Sequence, residues 1–412
     1  MRITKNKLLP AIHSEAQIKT SLSQSLINAY KNKLLLSTIK FQLAAGTHSA
    51  VAISDIITAG DLYFEIEGDI RSLSGLSFVQ GKDPNTADFA NSGNGVITLS
   101  NSGNTLTVAR SITNPNFATD YSSADTLVIL DDSGAVTEAA ISSIAANVFT
   151  LAATAPIVGG VASAVCLLPN RSISGAMTIV PGSARIRLKG FKFISPGHIV
   201  GSSTNQLKDG LVKFENCVFK GSSTLLSCQE SHVVLGKNND SSDVSFYDTG
   251  TAATFVTAVG PQTFLDFRGT TFLKGSAAVS LGEGVRSKAR DFSILRSLIG
   301  IQIDNGAFLH LVSGSIEMTN TGISATYAAP RISATSLTIK RKSGSVVGYG
   351  IEARQGADIA LRSPAISYFN IGIYAYNGAR IFTQSAVYVG NNTDRSPSSG
   401  HFGNNAAVIM ES

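Results

Sequence analysis

Tryptophan is absent from the 412 residues, cysteine occurs three times and methionine four. The cysteines, Cys166, Cys217 and Cys228, are odd in number and far apart, with no Cys-x-x-Cys pair. That spacing excludes a disulfide framework and a thiolate zinc site, and leaves the thiols as small apolar residues. Charge is also scarce: 15% of residues are Asp, Glu, Lys or Arg, against about 25% in an ordinary soluble domain. No apolar run approaches the roughly 18 residues a membrane helix needs, so membrane insertion is not expected. The start, Met1 to Ala16, is basic and polar without an apolar centre, so a secretory signal is not expected either.

What is present is small and polar or small and apolar. Glycine occurs 38 times, Ser and Thr are abundant, and 43% of residues are hydrophobic. That apolar fraction suffices for a large core and excludes disorder. The net charge of +5 is uneven: residues 1–40 hold seven bases and one acid, a local +6, and the remaining 372 residues sum to −1. A nearly neutral body does not predict a nucleic-acid partner.

The body repeats itself from residue 184 onward. Ile186-x-Leu188 is followed by Phe193, Val212-x-Phe214 by Phe219, and Leu265-x-Phe267 by Phe272. Leu309-x-Leu311 with Ile316, Ile332-x-Ala334 with Ile339, Ile359-x-Leu361 with Ile366, and Ile381-x-Thr383 with Tyr388 continue it. A weaker copy is Ser287-x-Ala289 with Ile294, and a degenerate one starts at Val233. A third apolar pair follows in many coils, as in Ile301-x-Ile303 and Ile373-x-Ala375. The unit is about 22 residues with three short strands. Period-two alternation puts the named residues on one face of each strand. Three such strands cannot close a core alone, but stacked copies bury a continuous apolar column. The expected fold is all-β: a parallel, right-handed β-helix.

Four segments are expected. Residues 1–38 form a basic helical segment for attachment or capping. Its helix lies near 13–31, capped by Ser14 and Gln17, with Leu22 and Leu26 on the apolar side. Residues 39–90 are first coils. Residues 91–169 change pattern to short strands with turn signals and read as an inserted antiparallel β-barrel or sandwich. Residues 170–412 are the main β-helix. In the insert, Asp131 and Asp132 read as a hairpin turn, and no metal is expected.

Phe41-Gln-Leu-Ala-Ala-Gly-Thr-His48, Phe64-x-Ile66-x-Gly68 and the tandem coils of 184–388 resemble those of bacteriophage tailspikes and β-helical tail fibre proteins. The coil pattern is shared with pectate-lyase-like enzymes. The resemblance implies a homotrimeric virion protein assembled in the host cytoplasm. It implies an N-terminus bound to a phage tail protein; Lys5, Lys7, Lys19, Leu22 and Leu26 are the attachment candidates. It also implies host attachment through a surface polysaccharide or lipopolysaccharide, with or without its degradation by a lyase or endo-glycosidase. No cofactor is implied. Two features depart from that pattern: no trimerising motif follows the last coil, and no motif fixes a catalytic pair.

Register sorts the outward residues. On the first strands the expected column is Arg187, Lys213, Val234, Asp266, Lys288, His310, with Asp266 paired to Lys288. On the second strands Glu317 stands beside Lys340, a second expected pair. On the third strands Gln302, Ser324, Glu352 and Tyr374 stack, flanked by Asp304, Thr326, Arg354 and Tyr376. Acids, arginine and tyrosines together suit sugar stacking and hydroxyl bonding. Weak catalytic candidates are Asp304, Glu352 and Asp394. Coil spacing puts Asp304 and Glu352 roughly 11–12 Å apart, beyond the roughly 5–10 Å of a glycosidase pair. Long loops add glycan-binding candidates to Arg354, Tyr374 and Tyr376: Arg341, Tyr368, Phe369, Arg395 and His401.

Overall fold

In the computed structural model of the protein the described residues are 23–30, 34–35, 39–54, 56–58, 62–68, 96–99, 105–109, 125–131, 135–145, 148–152, 160–195, 197–201, 210–236, 244–247, 254–341, 347–396 and 407–411. Lys5, Lys7, Lys19, Leu22, Ser14, Gln17, Asp132 and His401 lie outside them.

Alternating side chains along short strands produce a parallel β-helix. Three strand columns run the length of the solenoid, each pairing in parallel with the coil before and after. The first sheet runs from Ile39–Gln42 through Arg185–Lys189 and Phe264–Arg268 to Val408–Glu411. Its register couples Ile186 to Val212, Val212 to Val233, and Val233 to Leu265. The degenerate coil at Val233 is therefore a true coil. In the second sheet Phe193, Phe219, Phe246 and Phe272 are register partners. Their rings stack at 4.6, 4.6 and 5.1 Å between centroids, the spacing that parallel strand pairing imposes. Ile294, Ile316, Ile339, Ile366 and Tyr388 continue the column. These side chains and those of the other two sheets form one core cluster.

Among the described residues the chain makes one excursion out of this solenoid. Gly46–Ser49 pairs with Arg171–Ser174 across the excursion, and Phe64–Glu67 pairs with Arg185–Lys189. Between them six antiparallel strands close a barrel: Val96–Leu99, Thr105–Ala109, Thr126–Asp131, Val136–Ala145, Val148–Leu151 and Gly160–Leu167. The barrel is the solution taken, not a sandwich. Its longest strand, Val136–Ala145, carries no strand signal in the sequence pattern. With three alanines and a Glu it has weak intrinsic strand preference, and pairing on both edges overrides that.

The barrel rests on the solenoid's second sheet. Val128, Leu130 and Leu168 cluster with the outward Val218, Tyr247, Leu273 and Leu295. Beside this apolar contact, Glu138 meets Lys220 at 2.6 Å and Lys192 at 3.2 Å, and accepts the Tyr247 hydroxyl at 2.6 Å. Burial pushes the Glu138 pKa up, but the bonds from Lys220 and Tyr247 and the charge of Lys192 outweigh it and hold the carboxyl below its ordinary value.

The described helix is Gln24–Tyr30. Ser23 caps it, its Oγ accepting from the Leu26 N–H at 3.3 Å. Ile27 is buried in the solenoid core and Leu26 packs half-buried against it. The Gln24 amide donates to the Ala52 carbonyl and accepts from the Ala52 N–H, both at 3.0 Å. Ala52–Ser54 is an edge strand of the first coil, so the helix covers open backbone that would otherwise template association.

Toward the other end an inward position of the third sheet turns polar. Arg395, in register with the inward Ile373, pairs with Glu411 and lies over the Tyr388 ring at 5.6 Å.

Candidate functional site

The third sheet brings the aromatic candidates together. Gln302, Ser324, Glu352, Tyr374 and Ser396 are successive register partners on its outer side. Tyr374 stacks on Tyr376 at 6.2 Å, the planes within 9°, and on Tyr349 at 5.0 Å, within 19°. The Arg354 guanidinium stands 5.9 Å from the Tyr374 centroid and 2.5 Å from Glu352. All three tyrosines are half-exposed. The result is an open shelf of near-parallel rings flanked by one arginine and one carboxylate.

Pattern reading misses Tyr349, because its parity along the strand matches the inward Ile351. A glycine explains the exception. Gly350 occupies the inward position; a Cβ there would lie 2.5 Å from the Ile366 side chain and 2.5 Å from the Gly372 carbonyl. With that position closed to side chains, Tyr349 turns outward onto Tyr374. The only signal for this is the Tyr-Gly-Ile order at 349–351.

The carboxylate candidates are committed to local structure. Asp304 accepts from Thr326 Oγ1 at 2.6 Å and from Gln302 Nε2 at 2.9 Å. Glu352 holds Arg354. Register keeps Glu352 two coils beyond Gln302 and therefore beyond Asp304. Asp394 is exposed and accepts from Asn391 Nδ2 at 3.3 Å.

Several expected residues stand elsewhere. Phe369 is fully buried in the core: Tyr368 before it takes φ 65°, which turns the next side chain inward, and Asn391 Oδ1 accepts the Phe369 N–H at 2.8 Å. Tyr368 itself is half-buried at that corner. Arg341 is also buried, because Arg331–Arg341 continues as strand past the expected loop start. Asp394 and Arg395 belong to a third-sheet strand, Thr393–Ser396, and Arg395 is held by Glu411. Asp266, expected to pair with its neighbour Lys288, is instead buried against Arg268 on its own strand. Glu317 pairs with Arg296 at 3.0 Å.

On the first sheet the expected column is continuous from Arg187 through Lys213, Val234, Asp266 and Lys288 to His310. Its early part is neutralised internally. Arg187 meets Glu65 at 2.6 Å, Lys213 meets Glu215 at 2.5 Å, and Lys40 meets Glu67 at 3.3 Å. No cluster of His, Cys, Asp and Glu suited to a metal occurs among the described residues. None of the described helices is long and apolar enough to cross a membrane.

No family model matches the chain, and no curated protein does. Solved structures do overlap with it. All three named here are phage tailspikes. The Pseudomonas phage phi297 tailspike overlaps 93% of this chain and 74% of its own, at 10% identity and a TM-score of 0.22. The tailspike of Pseudomonas phage LKA1 overlaps 92% and 72%, at 12% identity and 0.21. The tailspike of Acinetobacter baumannii bacteriophage AP22, solved in complex with A. baumannii capsular saccharide, overlaps 95% and 76%, at 10% and 0.21. The assignment of the fold rests on this chain's own strand register.

Proposed function

We propose that this protein is a bacteriophage tailspike or tail fibre component that binds a bacterial surface polysaccharide through the third-sheet shelf of its β-helix. The tyrosines carry the reading. Tyr349, Tyr374 and Tyr376 present near-parallel rings on a rigid solenoid, with Arg354 and Glu352 beside them as hydrogen-bonding groups. Aromatic faces take the apolar faces of sugar rings, and charged neighbours take hydroxyls. The coil pattern's resemblance to phage tail proteins supplies the context. In that context the basic arm docks on a tail protein, three chains assemble, and the third sheet meets host polysaccharide or lipopolysaccharide.

Binding without cleavage is the favoured form. A glycosidase needs two carboxyl groups roughly 5–10 Å apart, whereas Asp304 and Glu352 stand two coils apart and each holds a structural partner. The test incubates the protein with host capsule or lipopolysaccharide and reads both binding and chain length. Tyr374→Ala is expected to weaken binding about tenfold or more, the usual cost of truncating a central aromatic contact. Unchanged binding by Tyr374→Ala refutes the shelf, and shortened glycan refutes binding without cleavage.

A further inference from the structure

The outward charges of the first sheet divide into two halves. In the early coils Arg187 faces Glu65 and Lys213 faces Glu215. From Arg286 onward outward carboxylates become scarce on this sheet. The outward residues of the next five first-sheet strands include Arg286, Lys288, Arg290, Arg331, Arg362 and Arg380 against the single acid Asp358. Asp358 is taken by Arg380 at 3.8 Å. Arg286, Arg290, Arg331 and Arg362 are exposed, and among the described residues none of them, nor Lys288, has an ion-pair partner.

The register puts these groups in order. Arg286 is followed by Phe308 and then Arg331, and Lys288 by His310 and Ser333. Arg286 and Arg331 are thus two coil steps, roughly 10 Å, apart on a stiff sheet. Phe308 and Phe382 are both 41% exposed on the same face. At its N-terminal end the face opens into a cavity of about 290 Å³ whose lining includes Lys288, Lys213, His232, Phe264 and the paired Asp266 and Arg268. Like charges gathered on a sheet repel one another. Among the described residues of these strands, Asp358, the register neighbour of Arg331, is the one carboxylate set against them.

We propose that this face is a second ligand site, for a linear carboxylated polysaccharide. The unpaired arginines and Lys288 take its carboxylates, while Phe308 and Phe382 contact sugar rings. A polysaccharide is chosen over a nucleic acid because the solenoid body carries no net positive charge beyond the first 40 residues; the choice also rests on the glycan reading above. The face is separate from the tyrosine shelf, so the two can fail independently.

The experiment titrates the full chain with polygalacturonate, neutral dextran and single-stranded DNA at low and high salt. The variants are Arg286→Gln/Arg331→Gln/Arg362→Gln and Tyr374→Ala. Expected are binding of polygalacturonate over dextran, weakening with salt, and a loss on the order of tenfold in the triple variant. Tyr374→Ala should retain that binding, and should lose host glycan if the shelf reading is right. Should the triple variant not fold, Arg331→Gln alone reads the same effect at smaller size. Absence of polygalacturonate binding, equal binding of dextran, tighter binding of DNA, or an unaffected arginine variant would each overturn the proposal.

Discussion

Mild acid is expected to loosen the solenoid through one histidine. His198 is 3% exposed, set edge-on against Phe193 and Phe219 at 5.3 and 5.8 Å. Its Nδ1 accepts the Met177 N–H at 3.1 Å, so the ring is neutral with its proton on Nε2. Burial lowers its pKa from 6.5 to about 4. The unfolded chain takes up the proton first as pH falls. Above pH ~6.5 the group therefore contributes nothing to the difference, and below about 4 the whole penalty is present. The linkage comes to about 2 kcal/mol lost at pH 5 and about 3 at pH 4. Against a domain stability of roughly 5–15 kcal/mol that is readily measured. Carboxylates also titrate there, so a comparison isolates the histidine. His198→Phe leaves the Met177 N–H unpaired, a cost that does not vary with pH. Urea unfolding of both proteins between pH 7 and 4 should show wild type losing about 3 kcal/mol more than the variant. Parallel losses in the two proteins would refute the argument.

Phe246→Ala removes a fully buried ring stacked between Phe219 and Phe272. It should cost about 3–5 kcal/mol in urea unfolding; a cost under about 1 kcal/mol would mean the ladder relaxes around the gap. Glu138→Ala leaves Lys192, Lys220 and Tyr247 without their shared acceptor. It should raise protease cleavage of the barrel and expose its apolar contact to dye, with the solenoid intact; unchanged cleavage would show that the apolar contact alone holds the barrel. Cys228 is fully buried with its thiol pushed up to about 12 by burial. Iodoacetamide at neutral pH should leave it unmodified until the protein is denatured, and labelling of native protein at Cys228 would refute the packing.

The solenoid is legible in the sequence because its code is local. Inward residues of each coil must repeat at strand parity, and parallel stacking forces like positions into register, so the Phe193-to-Tyr388 column can be read from residue spacing alone. The fall of Asp304 and Glu352 two coils apart follows from the same rule. Phe246 escapes it because its coil is lengthened between Leu235 and Val244, and spacing arguments fail across an insertion.

What only the tertiary structure decided is how coils use their corners, ends and outer faces. Phe369 and Arg341 look like surface loop residues by position, but a left-handed corner at Tyr368 and a prolonged strand bury them. Arg395 looks like a free binding group by position, but Glu411 pairs with it and the Tyr388 ring lies under it. Val218, Tyr247, Leu273 and Leu295 point outward by parity and are buried nonetheless, because a barrel from a distant part of the chain sits on them. Tyr349 joins the shelf because a glycine neighbour leaves it no room inside. Strand parity fixes which way a side chain points along one coil; what it meets there depends on chain segments far away in sequence, and only folding brings those together.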